Sequence, residues 1–235
     1  MEMGIKKFGP IRWEGLKPEL AVTGPNNGKA VGSKLFESGV IGAAVVASRM
    51  GIPGIAFSAG KEKESMAWDA PEAVENHVYA ELAAEVVDAI VTHGKPYLPK
   101  DVFLSVNFQT YNNETCNHPS VYHWGVARLG PSLFRDLVGP PDVKWCQRWL
   151  DWDAELMDYK SPNCWVSIGI GENRARTTTN NRRKQRAVIE KFKRKLSCRV
   201  GFDERAKPAS MLYDVPYDFA EYEDFPEGVD CYECD

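Results

Sequence analysis

The sequence contains no apolar run that approaches the length needed to cross a lipid bilayer, and no signal peptide opens it. It has no internal repeat, and no Asp-Asp pair occurs anywhere in its 235 residues. A formal net charge of −4 gives no general attraction to nucleic acid. With 43% hydrophobic and 26% charged residues, the chain has the composition of a globular protein that buries one core.

Charge is unevenly distributed toward the C-terminus. Residues 172–207 hold thirteen Arg or Lys and four Asp or Glu, whereas residues 213–235 hold nine Asp or Glu and no Arg or Lys. We interpret this contrast as a solvated basic helix near the end of a domain that spans 1–207. A flexible acidic tail over 208–235 follows that domain. Nucleic-acid binding by the basic segment 182–199 is a weaker alternative, since no aromatic residue alternates with the basic ones.

The most informative segment runs from Leu20 to Phe57. A short apolar run leads into a polar loop rich in Gly and Asn, then into a helix of small residues and a second apolar run. This pattern predicts a strand, a loop, a helix and a second strand. In α/β sheets ligands bind beyond the carboxyl ends of the strands, and the loop falls at such an end.

Each residue type in this segment has a physical use in binding phosphate or metal. Gly24 and Gly28 permit a positive φ and a close approach of the backbone to a ligand. Asn26 offers a neutral carbonyl oxygen, which suits a hard divalent cation. Ser38 and Gly39 fall at a predicted helix start, where a hydroxyl and free backbone N–H groups can hold phosphate. An ordinary Gly/Asn-rich loop and a serine N-cap explain the same residues without a ligand.

The order and spacing of three blocks match a known pattern. The SurE family reads roughly S-G-P-N-x-G-x-N-x-G, then S-G-T-V-G-A-A, then G-I-P-x-I-A-F-S. This chain reads T-G-P-N-N-G-K-A-V-G at 23–32, S-G-V-I-G-A-A at 38–44 and G-I-P-G-I-A-F-S at 51–58. A further block, L-S-V-N-F at 104–108, is similar to the family segment L-N-V-N-F. The chain therefore resembles the SurE survival proteins, which are metal-dependent nucleotidases and acid phosphatases.

This resemblance implies an α/β fold with a mainly parallel sheet and a Rossmann-like order of three layers. It implies hydrolysis of nucleoside monophosphates or simple phosphate esters with Mg²⁺ or Mn²⁺, and a homo-dimer or tetramer joined through an extension at 109–163. Asn26 corresponds to the metal-binding asparagine of the family. The expected phosphate-binding residues are Gly24, Asn27, Ser38 and Gly39.

The chain departs from the family pattern in its charged and hydroxyl ligands. The N-D-D-G motif and an early serine of the family have no counterpart here. Val40 replaces the threonine of the phosphate block, and Ala30 replaces the second loop asparagine. A divalent cation needs charged oxygen ligands to offset its dehydration, which one amide does not supply. We expect either a truncated hydrolase or a chain that kept the scaffold as a non-catalytic binding protein.

Six cysteines raise the question of oxidation. The C-terminal segments around Cys164 and Cys198 look like those of fungal, secreted members, and this resemblance implies Cys116–Cys146 and Cys164–Cys198 disulfides. Secretion is therefore expected, with reduced thiols and a cytoplasmic location as the alternative. The C-x-x-C at 231–234 lacks a second pair for zinc, which favours a local disulfide or free thiols.

Hydrophobic periodicity and breaker residues predict the regular elements. Residues 1–18 and 109–163 are predicted to be irregular. The predicted strands are 19–23, 54–58, 102–108 and 164–170, and the predicted helices are 38–50, 71–92 and 180–196.

Overall fold

A computed structural model describes residues 1–60, 74–130, 143–146, 148–158 and 163–198 of the chain. Its helices are α1 (Gly9–Arg12), α2 (Lys34–Glu37), α3 (Gly39–Arg49), α4 (Val74–Val91), α5 (Asp153–Leu156) and α6 (Arg182–Phe192). Its strands are β1 (Ala21–Asn27), β2 (Gly54–Ala59), β3 (Val102–Phe108), β4 (Tyr122–Arg128), β5 (Lys144–Trp145), β6 (Arg148–Trp149), β7 (Asp151–Trp152) and β8 (Cys164–Glu172). Two short turns add to these, a π-helical one at Gly4–Phe8 and a 3-10 one at Pro119–Val121.

The main sheet has the strand order β1-β2-β3-β8-β4-β7. Neighbouring strands run parallel, except that β8 is antiparallel to β3. The architecture is therefore a mixed α/β fold with a mostly parallel sheet of six strands, which agrees with the expected Rossmann-like layers. Because β1, β2 and β3 all run the same way, their carboxyl ends meet at one edge of the sheet.

Helices cover both faces of this sheet. On one face, α4 and α6 pack with Ile55 and Phe57 of β2 in the largest core cluster. The apolar positions of α4 recur with helical spacing, which is why Leu82, Val86 and Ile90 are all buried. Each such side chain contributes about 1.5–3 kcal/mol on burial. On the other face, α3 and the residues around α5 pack on the sheet.

The parallel strands β1 and β2 differ in how far their residues are buried. Every residue of β2 is buried, but in β1 the burial alternates and then stops, and Val22 is 48% exposed. The physical reason is position, because β1 is the edge strand of the sheet within the described residues. Apolar composition alone does not distinguish an edge strand from a central one.

Two segments predicted to be irregular contain regular structure. Residues 1–18 include the π-helical turn and α1, held by Ile5, which packs against Ala21 and Ile52. The segment 109–163 contributes β4, which lies between β8 and β7 in the main sheet. The sequence prediction missed this strand because the segment is rich in turn-forming and aromatic residues, which obscure the alternation of apolar positions.

The described cysteines are oxidised as expected, but the predicted pairing is wrong. The disulfides are Cys116–Cys164 and Cys146–Cys198, with Cα–Cα distances of 5.5 and 5.7 Å. The pairing follows from the sheet, because Cys164 begins β8 opposite Tyr122, the first residue of β4. The chain that leads into β4 therefore passes beside Cys164 and brings Cys116 to it.

The acidic tail predicted at 208–235 and the C-x-x-C at 231–234 lie outside the described residues. Among the helices of the described residues, none is both long and apolar enough to cross a membrane.

Removing the Cys116–Cys164 bridge by a double Cys→Ser substitution should lower the free energy of unfolding by about 4 kcal/mol. The bridge closes a loop with a sequence separation of 48, and opening it returns conformational freedom to the unfolded chain. Urea unfolding measures the loss, which should vanish when both proteins are compared in reductant. Non-reducing peptide mapping that joins Cys116 to Cys146 would contradict the assignment.

Candidate functional site

The predicted phosphate loop begins inside β1. Gly24 has a φ of +95°, and a Cβ built on it would lie 2.2 Å from the carbonyl oxygen of Phe57. Glycine is required here because the backbones of β1 and β2 approach closely. The next peptide bond, Gly24–Pro25, is cis, and the register with β2 shifts between Thr23 and Asn26. This irregular stretch interrupts the ladder, which resumes at Asn26 and Asn27 near the carboxyl end of β2.

Asn26 and Asn27 lie at that carboxyl end and are exposed to solvent. Asn26 pairs in register with Ser58, near the end of β2. The residue that the family resemblance marks as a metal ligand is therefore at the edge where α/β sheets bind ligands.

The hydroxyl of Thr23 links the loop to the start of α3. Its Oγ1 donates to the carbonyl oxygen of Val40 at 2.9 Å, and it also lies 3.2 Å from the carbonyl oxygen of Ile55. The first bond joins β1 to the first turn of α3, and the second joins it to β2. The two predicted halves of the phosphate site, residues 24–28 and residues 38–39, are thus brought to the same edge.

Ser38 is the N-cap of α3. Its backbone is extended, and its Oγ accepts a hydrogen bond from the backbone N–H of Ile41 at 3.4 Å. Gly39 is exposed, and a Cβ built on it meets nothing within 4 Å. The first turn of α3 carries no acidic residue that would neutralise the positive end of the helix dipole. Such a terminus attracts anions.

Residues 28–32 are anchored to the sheet by backbone donors. The N–H of Gly28 donates to Ala59 O at 2.8 Å, and the N–H of Ala30 donates to Asn107 Oδ1 at 2.8 Å. Ala30 is 2% exposed and packs in the apolar cluster beside α3. This burial explains why an apolar residue stands where the family has a second asparagine.

Lys29 belongs to the loop, and its charged side chain is buried in the protein. It is 5% exposed, and its Nζ donates to Gln109 Oε1 at 3.1 Å and to Met157 O at 2.9 Å. A buried ammonium is stable only when polar partners replace its hydration, and these oxygens do so. Lys29 therefore joins the loop to the end of β3 and to the residue after α5.

Asp153, the first residue of α5, is the second buried ionisable group that is bonded to the loop. It is fully buried, and its carboxylate accepts from the N–H of Ala154 at 2.8 Å and from the N–H of Gly32 at 3.3 Å. Burial raises the pKa of Asp153 to about 7, and the backbone donors oppose that shift only in part. Asp153 therefore holds the far end of the loop with a carboxyl group that titrates near neutrality.

A row of buried polar side chains crosses the sheet beneath the loop. Ser58, Asn107 and Ser167 are partners in register on β2, β3 and β8. Ser58 Oγ, Asn107 Nδ2 and Ser167 Oγ have no hydrogen-bond partner in the part of the chain that the structure describes. Buried polar atoms without partners are uncommon in folded proteins. Since Asn26 on β1 is paired with Ser58, the exposed asparagine lies next to this row of buried polar side chains.

Within the described ranges, no group of three or more His, Cys, Asp and Glu side chains is placed to hold a metal ion. Asn26 is the family-type ligand that the structure shows at this edge. One neutral amide does not fit the coordination demands of Mg²⁺ or Mn²⁺ by itself.

The sequence prediction missed the buried residues whose hydrogen bonds hold the loop in place. Lys29 stands inside the quoted loop motif and Asn107 inside the quoted L-S-V-N-F block, so the motifs contained both without indicating a role. Gln109 follows that block directly. Asp153 comes from the segment predicted as an irregular extension, and no local pattern connects it with Gly32, 121 residues away.

Comparison with known proteins gives consistent matches. The family model described as "Survival protein SurE" matches residues 1–132. The chain is 34% identical over 125 residues to the 5'-nucleotidase SurE of Pelobacter propionicus, which covers 53% of this chain and 44% of that protein. It is 28% identical over 142 residues to the 5'-nucleotidase SurE of Aquifex aeolicus, which covers 59% of this chain and 51% of that protein.

Among solved structures, the chain is similar to the crystal structure of the SurE protein from Aquifex aeolicus. The TM-score is 0.48 at 20% sequence identity, over 80% of this chain and 70% of that chain. The chain spans about half the length of the curated relatives that it matches.

Replacing Asp153 by Asn should remove a pH-dependent component of stability. The raised pKa means that the folded state binds the proton more tightly than the unfolded state, so stability falls as pH rises from about 4 through about 7. The total decline attributable to this group is about 4 kcal/mol. The measurement is urea unfolding of wild type and Asp153→Asn between those pH values.

The exposed carboxylate of Asp88 on α4 provides the matched control, because Asp88→Asn should leave the decline in place. If wild type and Asp153→Asn show the same dependence on pH, the assignment of the titrating group to Asp153 is wrong.

Proposed function

Since the chain belongs to the SurE family, whose model matches residues 1–132, we propose that it supplies the phosphate-binding part of a phosphomonoester hydrolase. The substrates would be nucleoside monophosphates or simple phosphate esters. The name that the relatives carry, 5'-nucleotidase SurE, supports this substrate class. Those relatives are about twice as long as the region matched here, so the activity is carried over as a proposal.

The observation that carries the proposal is the bond between Thr23 Oγ1 and Val40 O. It brings the Gly/Asn loop and the N-terminus of α3, which Ser38 caps, to one edge of the sheet. An anion held there gains backbone donors and the positive end of a helix dipole, with Lys29 buried behind the loop. We assign phosphate binding to Ser38 and Gly39 together with the backbone of Gly24 and Asn27.

We further propose that a divalent metal, Mg²⁺ or Mn²⁺, binds at Asn26 when the protein acts on phosphate esters. Such an ion would polarise the ester and neutralise charge that develops in the transition state. The described residues do not fit that ion as they stand, because Asn26 lacks carboxylate partners there. Charged ligands would have to come from outside the described residues, and we derive no catalytic step through the metal.

A non-catalytic role is the second candidate, in which the same edge binds a phosphate ester without hydrolysing it. Two features favour it. Val40 provides no hydroxyl where the family has threonine, and Ala30 is committed to the apolar core. Under either function we propose a homo-dimer or tetramer, as the family resemblance implies.

Turnover of p-nitrophenyl phosphate and of nucleoside monophosphates by the full chain tests the catalytic proposal. We expect activity that requires Mg²⁺ or Mn²⁺, disappears with chelator and falls about tenfold or more in Asn26→Ala. A tenfold loss corresponds to about 1.4 kcal/mol of transition-state stabilisation. Asn180→Ala, which alters an exposed asparagine just before α6, should retain full activity. Folded protein that binds nucleoside monophosphate without turnover would favour the binding role.

Introducing a negative charge at Gly39 tests the phosphate site independently of turnover. Gly39→Asp should weaken binding of inorganic phosphate about tenfold, because the carboxylate repels the anion at the helix terminus. The same carboxylate should stabilise α3 by about 0.3–1 kcal/mol, and open space around Gly39 accommodates it. Gly39→Asn is the neutral control of equal size. Equal phosphate affinity for the two variants, measured by calorimetry, would argue against this site.

A further inference from the structure

The loop after β3 carries a triplet that the proposed function does not use. Asn113-Glu114-Thr115 is the single Asn-x-Ser/Thr triplet in the sequence. Such a triplet is an acceptor for N-linked glycan when it lies on the surface of a protein that passes through an oxidising secretory compartment. The structure bears on the first condition through the exposure of the triplet and on the second through the disulfides.

The triplet lies on the surface. Asn113, Glu114 and Thr115 are all exposed, in a bend that belongs to no helix or strand. The N–H of Glu114 donates to Asn112 Oδ1 at 2.8 Å, which shapes the bend. The backbone carbonyl of Asn113 accepts from Asn117, whereas its side-chain amide makes no hydrogen bond within the described ranges. The amide nitrogen is therefore available for modification without loss of a structural contact.

The bend is held firmly at both ends. Before it, the N–H of Tyr111 donates to Tyr79 Oη at 2.7 Å. After it, Cys116 is joined to Cys164, and the hydroxyl of Tyr122 donates to Cys116 O at 3.4 Å. A bulky substituent on Asn113 therefore projects from a fixed platform at the surface and does not need to displace the core beneath it.

The disulfides supply the second, independent observation. Cys116–Cys164 and Cys146–Cys198 both have Cα–Cα distances within the range of ordinary disulfides. Bridges of this kind form and persist in oxidising compartments. Cys164 follows Cys116 by 48 residues, so during synthesis Asn113 emerges well before the bridge beside it closes. The acceptor triplet is thus presented on an unfolded, unconstrained chain.

We propose that Asn113 is an N-glycosylation site and that the chain matures in the secretory pathway. The side-chain nitrogen of Asn113 attacks C1 of the reducing-end sugar of a lipid-linked oligosaccharide diphosphate. An N–C bond forms, the C1–O bond to the diphosphate breaks, the lipid diphosphate leaves with the electron pair, and the amide loses one proton. No oxidation or reduction takes place.

The glycan has a consequence for assembly. A branched sugar at Asn113 occupies the solvent above residues 112–117 and prevents another protein surface from packing there. If the segment 109–163 joins subunits, as the family resemblance implies, the interface must use a part of that segment away from this bend.

The decisive experiment is peptide mapping of the protein purified from its source organism, with and without an enzyme that removes N-glycans. We expect the Asn113 peptide to carry hexosamine, and we expect enzymatic release of the glycan to convert the side chain of Asn113 to aspartate. In parallel, the full chain is directed into microsomes, where Thr115→Ala and Asn113→Gln should abolish the mobility shift and the matched control Thr115→Ser should retain it.

An unmodified Asn113 peptide in protein from the source organism, with the Cys116–Cys164 peptide recovered as a disulfide, overturns the proposal. The proposal is also overturned if the wild-type chain enters the microsomes and shows no mobility shift. That result would show that the bend is not an acceptor even when the modifying enzyme is present. A shift that persists in Asn113→Gln assigns the sugar elsewhere and also rejects this site.

Discussion

The buried hydrogen bonds that anchor residues 28–32 are the constraint on which the candidate site depends. The loop follows an edge strand whose ladder with β2 is interrupted by a register shift between Thr23 and Asn26, so β1 alone does not fix its course. Lys29, the N–H of Ala30 and the N–H of Gly32 each find a buried acceptor on β3 or on the segment around α5. Because an unpaired buried polar group is costly, these bonds favour one loop conformation over alternatives.

In the function proposed above, the binding of phosphate is separate from the supply of charged ligands. The start of α3 and the loop provide neutral donors and a helix dipole, which suffice to hold an anion. The buried ionisable groups, Lys29 and Asp153, lie behind the loop and stabilise its position. Neither forms part of a carboxylate cluster within the described residues. Under the proposed function, this edge holds the phosphate, and hydrolysis would require charged ligands beyond those described.

Regular elements with a strong pattern were predictable from the sequence. The helix at 71–92 appears as α4 (Val74–Val91), with residues 71–73 outside the described part, and the strand at 102–108 matches β3. The small-residue helix at 38–50 is α3, with Ser38 as its N-cap. Local periodicity and capping chemistry determine such elements, so a single window of sequence contains the information.

The sequence by itself determined the fold class and the loop motif, and the family resemblance favoured oxidised cysteines. The tertiary structure alone decided which cysteines pair, that β4 lies between β8 and β7, and that Asp153 holds Gly32. These features join residues that are 48 and 121 positions apart. Hydrophobic patterns and motifs specify what a segment becomes, but contacts between distant segments exist only after the sheet order has brought them together.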